Sequence, residues 1–454
     1  MYFQRFSTNS FMRIKISPIL TLLSEKTLWA ALGLSLTHFL LARFGEREEI
    51  WRLWALVGLA FFFYFLLVRK RNTFSPTFLL LGALAFRIPY LGQQPLLSDD
   101  FYRFFWDGQL WLFGYNAYEW LPSDLIRTNP TFFSQALFSK LNSPNYYTVY
   151  PPLNQFLFSF SAYTAKGDIN QFVLILQLIL LGIEMSTLWI TSKLSTVWKS
   201  FRLELYYFNP LICLEFIGNI HFEGLVTSFL LLAYVIHTRY NKLWITSLFW
   251  GLGVATKLTP LLFAPLIWFR LTRNQRFTFF VLAFLINAFL FLPLFQLSTF
   301  AHIFSSINLY FQHFEFNASV YFVLRWFGTL LYGYNPIAIL GPILSFSTFL
   351  GIWWISYRLR PISIFELALL VQLLFILLAT TVHPWYLFPL ILLSSMSSWR
   401  FPLIWSGLVF LTYFSYTTFP YKENLYLVGI EYTLVLGFAW IEYKRSKQKT
   451  TSLS

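Results

Sequence analysis

Apolar stretches near the length that crosses a bilayer recur along the chain, separated by short polar clusters. They run roughly over 27–43, 53–68, 74–90, 171–191, 203–217, 223–238, 243–256, 259–269, 277–295, 337–357, 363–381, 384–397, 403–418 and 425–442. The pattern predicts an all-α polytopic membrane protein with about 11–14 transmembrane helices. Residues 243–269 are the test of that count. As one straight helix they would extend about 40 Å, too far for a hydrocarbon core of about 30 Å. Gly251, Gly253, Pro260 and Pro265 predict a break into two half-crossings, with Lys257 at the tip. The run at 384–397 is similarly short.

Composition supports this solvent. The 454 residues are 57% hydrophobic and 11% charged, with a mean hydropathy of +0.59, which excludes an ordinary soluble protein. A net charge of +14 does not point to nucleic acid, because no soluble domain interleaves basic patches with exposed aromatics. Basic excess belongs instead on cytoplasmic loops. With the N-terminus inside, 22 of the 33 basic residues fall on one side: Arg5, Arg13, Lys15, Lys26, Arg69-Lys70-Arg71, Lys193, Lys199, Arg202, Arg239, Lys242, Arg270, Arg273, Arg276, Arg358, Arg360, Arg400, Lys444, Arg445, Lys447 and Lys449. Both termini are then cytoplasmic. The expected organisation is one membrane domain over 1–454, with a large first extracytoplasmic loop at 91–170 and a second at 296–336. The first 26 residues show no cleavage site and read as leading into a retained helix. The single cysteine, Cys213, permits no intramolecular disulfide.

The first loop opens with the richest polar cluster, SDDFYRFFWDGQLWLFGYNAY from Ser98 to Tyr118, and YPPL follows at Tyr150 to Leu153. If this stretch is helical from Asp100, then Asp100, Arg103 and Asp107 share one face. That face suits a chemical site. It suits equally an ion-paired cap, with Ser98 or Asp99 at the N-cap and Arg103 bridging its neighbours.

These motifs resemble the GT-C superfamily of polytopic glycosyltransferases, and most closely its polyprenyl-phosphate-mannose-dependent mannosyltransferases. The resemblance lies in Ser98-Asp99-Asp100, Tyr102-Arg103, Trp106-Asp107-Gly108, Gly114 to Tyr118 and Tyr150-Pro151-Pro152. It extends to Asn209-Pro210, Gly218 to Gly224, Lys257 to Pro260 and His383 to Tyr386. Ala117 departs from the family pattern, which has proline there. The resemblance implies a GT-C-like fold and an inverting transfer of a hexose, mannose first, from a polyprenyl or dolichyl phosphate to a glycan or lipid-linked acceptor on the extracytoplasmic face. It also implies a loop aspartate as catalytic base. That role goes to Asp99 or Asp100, with a slight preference for Asp100, because neighbouring carboxylates perturb each other. Arg103 and Asp107 would orient the site.

The phosphate of such a donor gains charge as its bond to the sugar breaks, so cations are needed on the same side. Lys257, Arg325 and His383 are the candidates, with a snorkelling lysine and an interfacial histidine as the alternatives. His221 and Glu223 are no zinc signature, but fall where they would line the acceptor groove. Tyr115, Tyr118, Tyr146, Tyr147 and Tyr150 offer flat faces to sugar rings, as membrane interfaces also do. In the second loop, Tyr310, His313, Glu315, Asn317 and Arg325 read otherwise as an interfacial segment. No nucleotide and no metal is obligatory, since a monophosphate leaves with less charge than a diphosphate; a divalent ion is compatible. The bacterial inner membrane is preferred to the endoplasmic reticulum. Two other classes remain open: a lipid or sugar transporter or flippase using Glu184, Glu215 or Glu366 near the midplane, and a non-catalytic subunit of an envelope-glycan assembly complex.

Overall fold

A computed structural model describes residues 25–69, 74–129, 133–194, 201–418 and 421–451, without the side chains of residues 307, 309–313 and 449–451. The basic residues assigned at 5, 13, 15, 70, 71 and 199, and the side chains of Tyr310, His313 and Lys449, lie outside this description. Among the described residues there are helices and no β-strand; one isolated bridge joins Phe316 to Thr381.

The chain begins with a hairpin of α1 (Glu25–Phe44) and α2 (Ile50–Val68), followed by α3 (Pro76–Ala85). Pro76 at the first helical position and the Ser75 hydroxyl, which accepts from Phe78 N, start α3 as such residues ordinarily do. The first large loop carries α4 (Asp100–Leu112) and α5 (Pro152–Ala165). After it, Asp168 caps the long α6 (Ile169–Lys193) by accepting from Asn170 N and Gln171 N. Next come α7 (Glu223–Tyr240), α8 (Leu243–Thr256), α9 (Ala264–Arg270), α10 (Arg273–Phe291) and α11 (Thr299–His313). The last group is α12 (Val320–Tyr332), α13 (Ile337–Arg358), α14 (Ile364–Leu378), α15 (Phe388–Met396), α16 (Phe401–Leu408) and α17 (Leu425–Thr451).

Among the described residues six helices are long and apolar enough to cross a membrane, and a pair bent by 112°, Pro210–Gly218 with Glu223–Tyr240, has the form of a broken span or a re-entrant loop. Five shorter apolar helices complete the set, so many of the runs in the sequence are short or broken pieces. Their lipid-facing character is visible in α10, where Phe277, Phe284 and Phe289 are each at least 70% exposed while only Phe279 and Ala283 are buried. A water-soluble protein does not turn such a face outward. The predicted break at Lys257 is present: α8 stops at Thr256, Lys257 is extended, a 3₁₀ turn covers Thr259–Phe263, and α9 follows.

The polar residues inside this bundle are arranged in two ways. Arg87 at the end of α3 and Glu184 of α6 are both fully buried and form a bidentate pair, Nε–Oε2 and Nη2–Oε1 each 2.5 Å; Arg87 also donates to the carbonyls of Ala83 and Tyr207 at 2.9 Å. The pair closes on itself, as a buried ion pair must to offset desolvation. Glu184 is thereby a structural anchor. The second arrangement lies where α4 enters the bundle. Gly108 makes that approach possible, since a Cβ there would come within 2.5 Å of the Phe158 carbonyl of α5.

Candidate active site

Asp99 and Asp100 begin α4 but face different partners. Asp99 forms an ion pair with Arg47, on the short turn between α1 and α2, with Nη2–Oδ2 at 2.6 Å. The Arg47 guanidinium also lies over the Tyr416 ring, 4.9 Å from its centroid. Asp100 accepts from Asn142 Nδ2 at 2.7 Å and from the Tyr150 hydroxyl at 3.3 Å. Burial pushes the Asp100 carboxyl up and the Asp99 charge adds to this; the hydrogen bonds and the Lys257 ammonium pull the other way, and burial prevails. A carboxylate held this way has the character of a base.

The rest of the signature motif fixes this arrangement. Arg103 Nε binds Asp107 Oδ1 at 2.7 Å, both groups buried, and Arg103 Nη1 donates to the carbonyls of Ser143 and Tyr146 at 2.9 Å. Gln155 donates to Asp107 at 3.3 Å and to Thr148 at 3.1 Å. Arg103 and Asp107 therefore pin the 143–148 segment beside Asn142 and Tyr150. Tyr118, buried, donates its hydroxyl to the Tyr150 carbonyl at 2.6 Å and so holds the Tyr-Pro-Pro turn. The loop's outer edge is tied to the second loop by Glu119, which accepts from the Ser298 and Thr299 hydroxyls and faces His302 Nδ1 at 3.3 Å. His302 in turn stacks on Tyr147 at 3.9 Å.

The membrane half of the site comes from the bent pair. A π-helix over Cys213–Gly218 ends in a bend of 112° before α7, and between them Ile220 has φ +60°, a conformation a β-branched residue adopts only under constraint. Gly224 completes the bend: a Cβ there would fall 2.3 Å from the Phe216 ring. This backbone presents Glu215, His221 and Glu223 together. Glu223 Oε1 pairs with Lys257 Nζ at 2.5 Å, whereas Glu223 Oε2 is buried without a hydrogen-bond partner. His221 stacks on Trp385 at 3.4 Å, and Trp385 on His383 at 4.5 Å. His221 Nε2 points at Glu215 Oε2 at 3.4 Å, and Glu215 is fixed by the Tyr413 hydroxyl at 2.6 Å and by Asn219 Nδ2 at 3.2 Å. Lys257 lies within electrostatic reach of Asp100, His221 and His383, which sets the two halves beside one another.

Beside Lys257 an apolar groove of about 710 Å³ opens, lined by Leu258, Leu261 and Pro265 on one wall and by Ile352, Phe375 and Tyr386 on the other. Arg325 takes no part in the cluster described above; it pairs with Glu315, which also accepts from Tyr321 at 2.5 Å and Asn335 at 3.2 Å. Sequence reasoning missed Arg47 and Asn142, which lie in ordinary polar turns with no motif around them. It named Glu215 only as a midplane group.

A family model described as alpha-(1->6)-mannopyranosyltransferase, N-terminal domain, matches residues 26–273, which takes in Asp99, Asp100, His221, Glu223 and Lys257. No curated protein and no solved structure matches the chain. By a match over more than half its length, the chain belongs to the alpha-(1->6)-mannopyranosyltransferase family (MptA_B) and is a multi-pass membrane mannosyltransferase.

Proposed function

We propose that the chain transfers mannose from a polyprenyl-phosphate donor to a glycan or lipid-linked acceptor on the extracytoplasmic face, by an inverting single displacement. The observation that carries this is the placing of Lys257, next to the groove residue Leu258, within electrostatic reach of Asp100. A lipid-linked donor would lay its chain in the groove and bring its phosphate to Lys257. Asp100 would take the proton of the acceptor hydroxyl as that oxygen attacks the anomeric carbon. The bond from that carbon to the phosphate oxygen breaks on the opposite side, and the lipid phosphate leaves with the electron pair. Lys257 offsets the growing negative charge there. Inversion giving the α-linkage in the family's description implies a β-linked donor.

Glu223 holds the Lys257 ammonium, and its buried Oε2 is available to an acceptor hydroxyl. Lys257 supplies positive charge without a metal, so no divalent ion is required in this reading. Both termini are assigned to the cytoplasm and the membrane to the bacterial inner membrane, supported by the distribution of basic residues.

The deciding experiment is turnover of synthetic polyprenyl-phosphate mannose by the purified chain and by Asp100→Asn, with and without a chelator. Removing a positioned base costs about 100- to 10,000-fold in rate. Turnover by the wild-type chain in chelator and its loss in a folded Asp100→Asn protein are expected. A variant keeping more than about a tenth of wild-type turnover would remove Asp100 from the base role. A transporter built on Glu184 is disfavoured by that residue's closed pairing with Arg87.

A further inference from the structure

The end of the bundle remote from Asp100 holds a second cavity, about 200 Å³ and almost wholly apolar, lined among others by Trp250, Leu266, Phe279, Ala368 and Met396. It runs along α7 from Thr227 to His237 and along α15 from Pro389 to Met396, and its wide end lies at the last turns of α7, α9 and α15 and the first turns of α8, α10 and α14; none of Asp100, His221, Glu223 and Lys257 lines it. One polar atom inside it, His237 Nδ1, is buried and has no hydrogen-bond partner among the described residues. The helix ends around it carry Arg239, Lys242, Arg270, Arg273 and Arg276, the first four exposed. One carboxylate, Glu366, stands in the first turn of α14 on this rim, and none of the five cations forms an ion pair with it or with any other carboxylate among the described residues; Arg270 donates to the Ile362 carbonyl at 2.7 Å.

An apolar cavity between helices with a net cationic rim, five basic side chains against Glu366, matches a phospholipid of net negative charge, its acyl chain inside and its phosphate at the rim. We infer that this cavity is a binding site for an anionic phospholipid of the surrounding leaflet, held by Arg270 and Arg273 at the headgroup and by Trp250 and Ala368 along the chain. The site is separate from the catalytic cluster and does not depend on the reading of Asp100. Bound there, the lipid ties α14, whose Leu367 and Ala368 belong to the main core, to α7, α8 and α10, which a small second core including Ala233, Trp250, Phe279 and Ala283 packs together.

The test uses the full chain, purified and stripped of lipid, titrated with dioleoyl phosphatidylglycerol or dioleoyl phosphatidylcholine and followed by native mass spectrometry and thermal melting. Phosphatidylglycerol is expected to bind and raise the Tm at concentrations at least tenfold lower than phosphatidylcholine. The double variant Arg270→Ala/Arg273→Ala should lose that preference, while Arg127→Ala on the remote loop keeps it. Ala368→Phe, which fills the cavity, should weaken both lipids at least tenfold; Ala233→Leu, a smaller insertion into the same cavity from α7, carries the same reading where the phenylalanine prevents folding. Equal binding of the two lipids, a preference surviving in the double variant, or full binding in the folded cavity variants each overturns the proposal. So does displacement of phosphatidylglycerol by polyprenyl phosphate at equal concentration, which would make the cavity a second donor seat.

Discussion

Arg87 with Glu184, and the cluster around Lys257, are two of the groups of charged residues within this membrane domain, and they differ in how completely they are satisfied. Arg87 and Glu184 are fully buried, meet through two hydrogen bonds, and spend the remaining Arg87 donor on backbone carbonyls. The cluster of Asp100, Lys257, Glu223 and His221 is left open: Lys257 is 23% exposed, and Glu223 Oε2 and His221 Nε2 are buried without hydrogen-bond partners. Backbone constraint follows the same division, with Ile220 at φ +60° and the 112° bend both at the open cluster. Charge that the fold has paired off holds helices together. Charge left partly unpaired at a constrained backbone is available to a substrate.

The widest separation of the two roles comes from Glu184→Gln. The substitution leaves Arg87 buried opposite a neutral amide, and breaking a buried pair in this way costs about 3–5 kcal/mol of stability. The expected result is a large loss of melting temperature or of folded protein. Whatever remains folded should keep the turnover per molecule and the donor KM of the wild type. A changed donor KM in the folded fraction would mean that Glu184 serves the reaction, and the comparison would fail.

The closed pair and the open cluster were unequally legible in the sequence. Ser98-Asp99-Asp100, Tyr150-Pro151-Pro152 and the helix break around Lys257 could be read because each is a local pattern: adjacent carboxylates, a rigid turn, and glycine and proline inside an apolar run. The helix beginning at Asp100 was foreseen, yet its polar face divides. Asp100 turns to Asn142 and Tyr150, while Arg103 and Asp107 close on each other and on the 143–148 segment. Arg47 and Asn142 were not legible, since their roles arise from approaches between residues 52 and 42 positions apart in the chain. Glu215 lies in an apolar run, and only the π-helix and bend place it beside His221. The family match covers residues 26–273, so the groove wall built from 345–386 is contributed from outside it.

Within the open cluster, Lys257→Met tests the phosphate contact. Losing one preorganised group that stabilises developing charge lowers kcat by about 100-fold. The effect should fall on reaction with the lipid-phosphate donor in the folded fraction; some loss of melting temperature is also expected, smaller than for Glu184→Gln because the ammonium is 23% exposed, since the buried Glu223 loses its cation. Unchanged kcat and donor KM would return Lys257 to a snorkelling role.

The pH profile gives a finer reading. A base works deprotonated, so with Asp100 in the proposed base role turnover should fall as pH drops through its pKa. Burial has raised that pKa, placing the acid limb higher than a freely exposed aspartate would. Asn142 donates to the ionised form and holds the pKa down, so Asn142→Ala should move the limb to still higher pH. An acid limb that ignores Asn142→Ala would show that another group sets it.

The smallest effect separates two neighbours that the sequence treats alike. Asp99 is 42% exposed and its partner Arg47 17%, so their ion pair stays in contact with solvent and contributes at most about 1 kcal/mol. Asp99→Asn should therefore cost no more than about fivefold in turnover, against the about 100- to 10,000-fold expected for Asp100→Asn. The variant should also carry a signature that a passive surface change lacks. The Asp99 charge helps to raise the Asp100 pKa, so removing it should shift the acid limb of the pH profile to lower pH, opposite in sign to Asn142→Ala. A large loss in Asp99→Asn with a small one in Asp100→Asn would reverse the assignment: Arg47 would then be orienting the base, and the hydrogen bonds to Asp100 would be the structural ones.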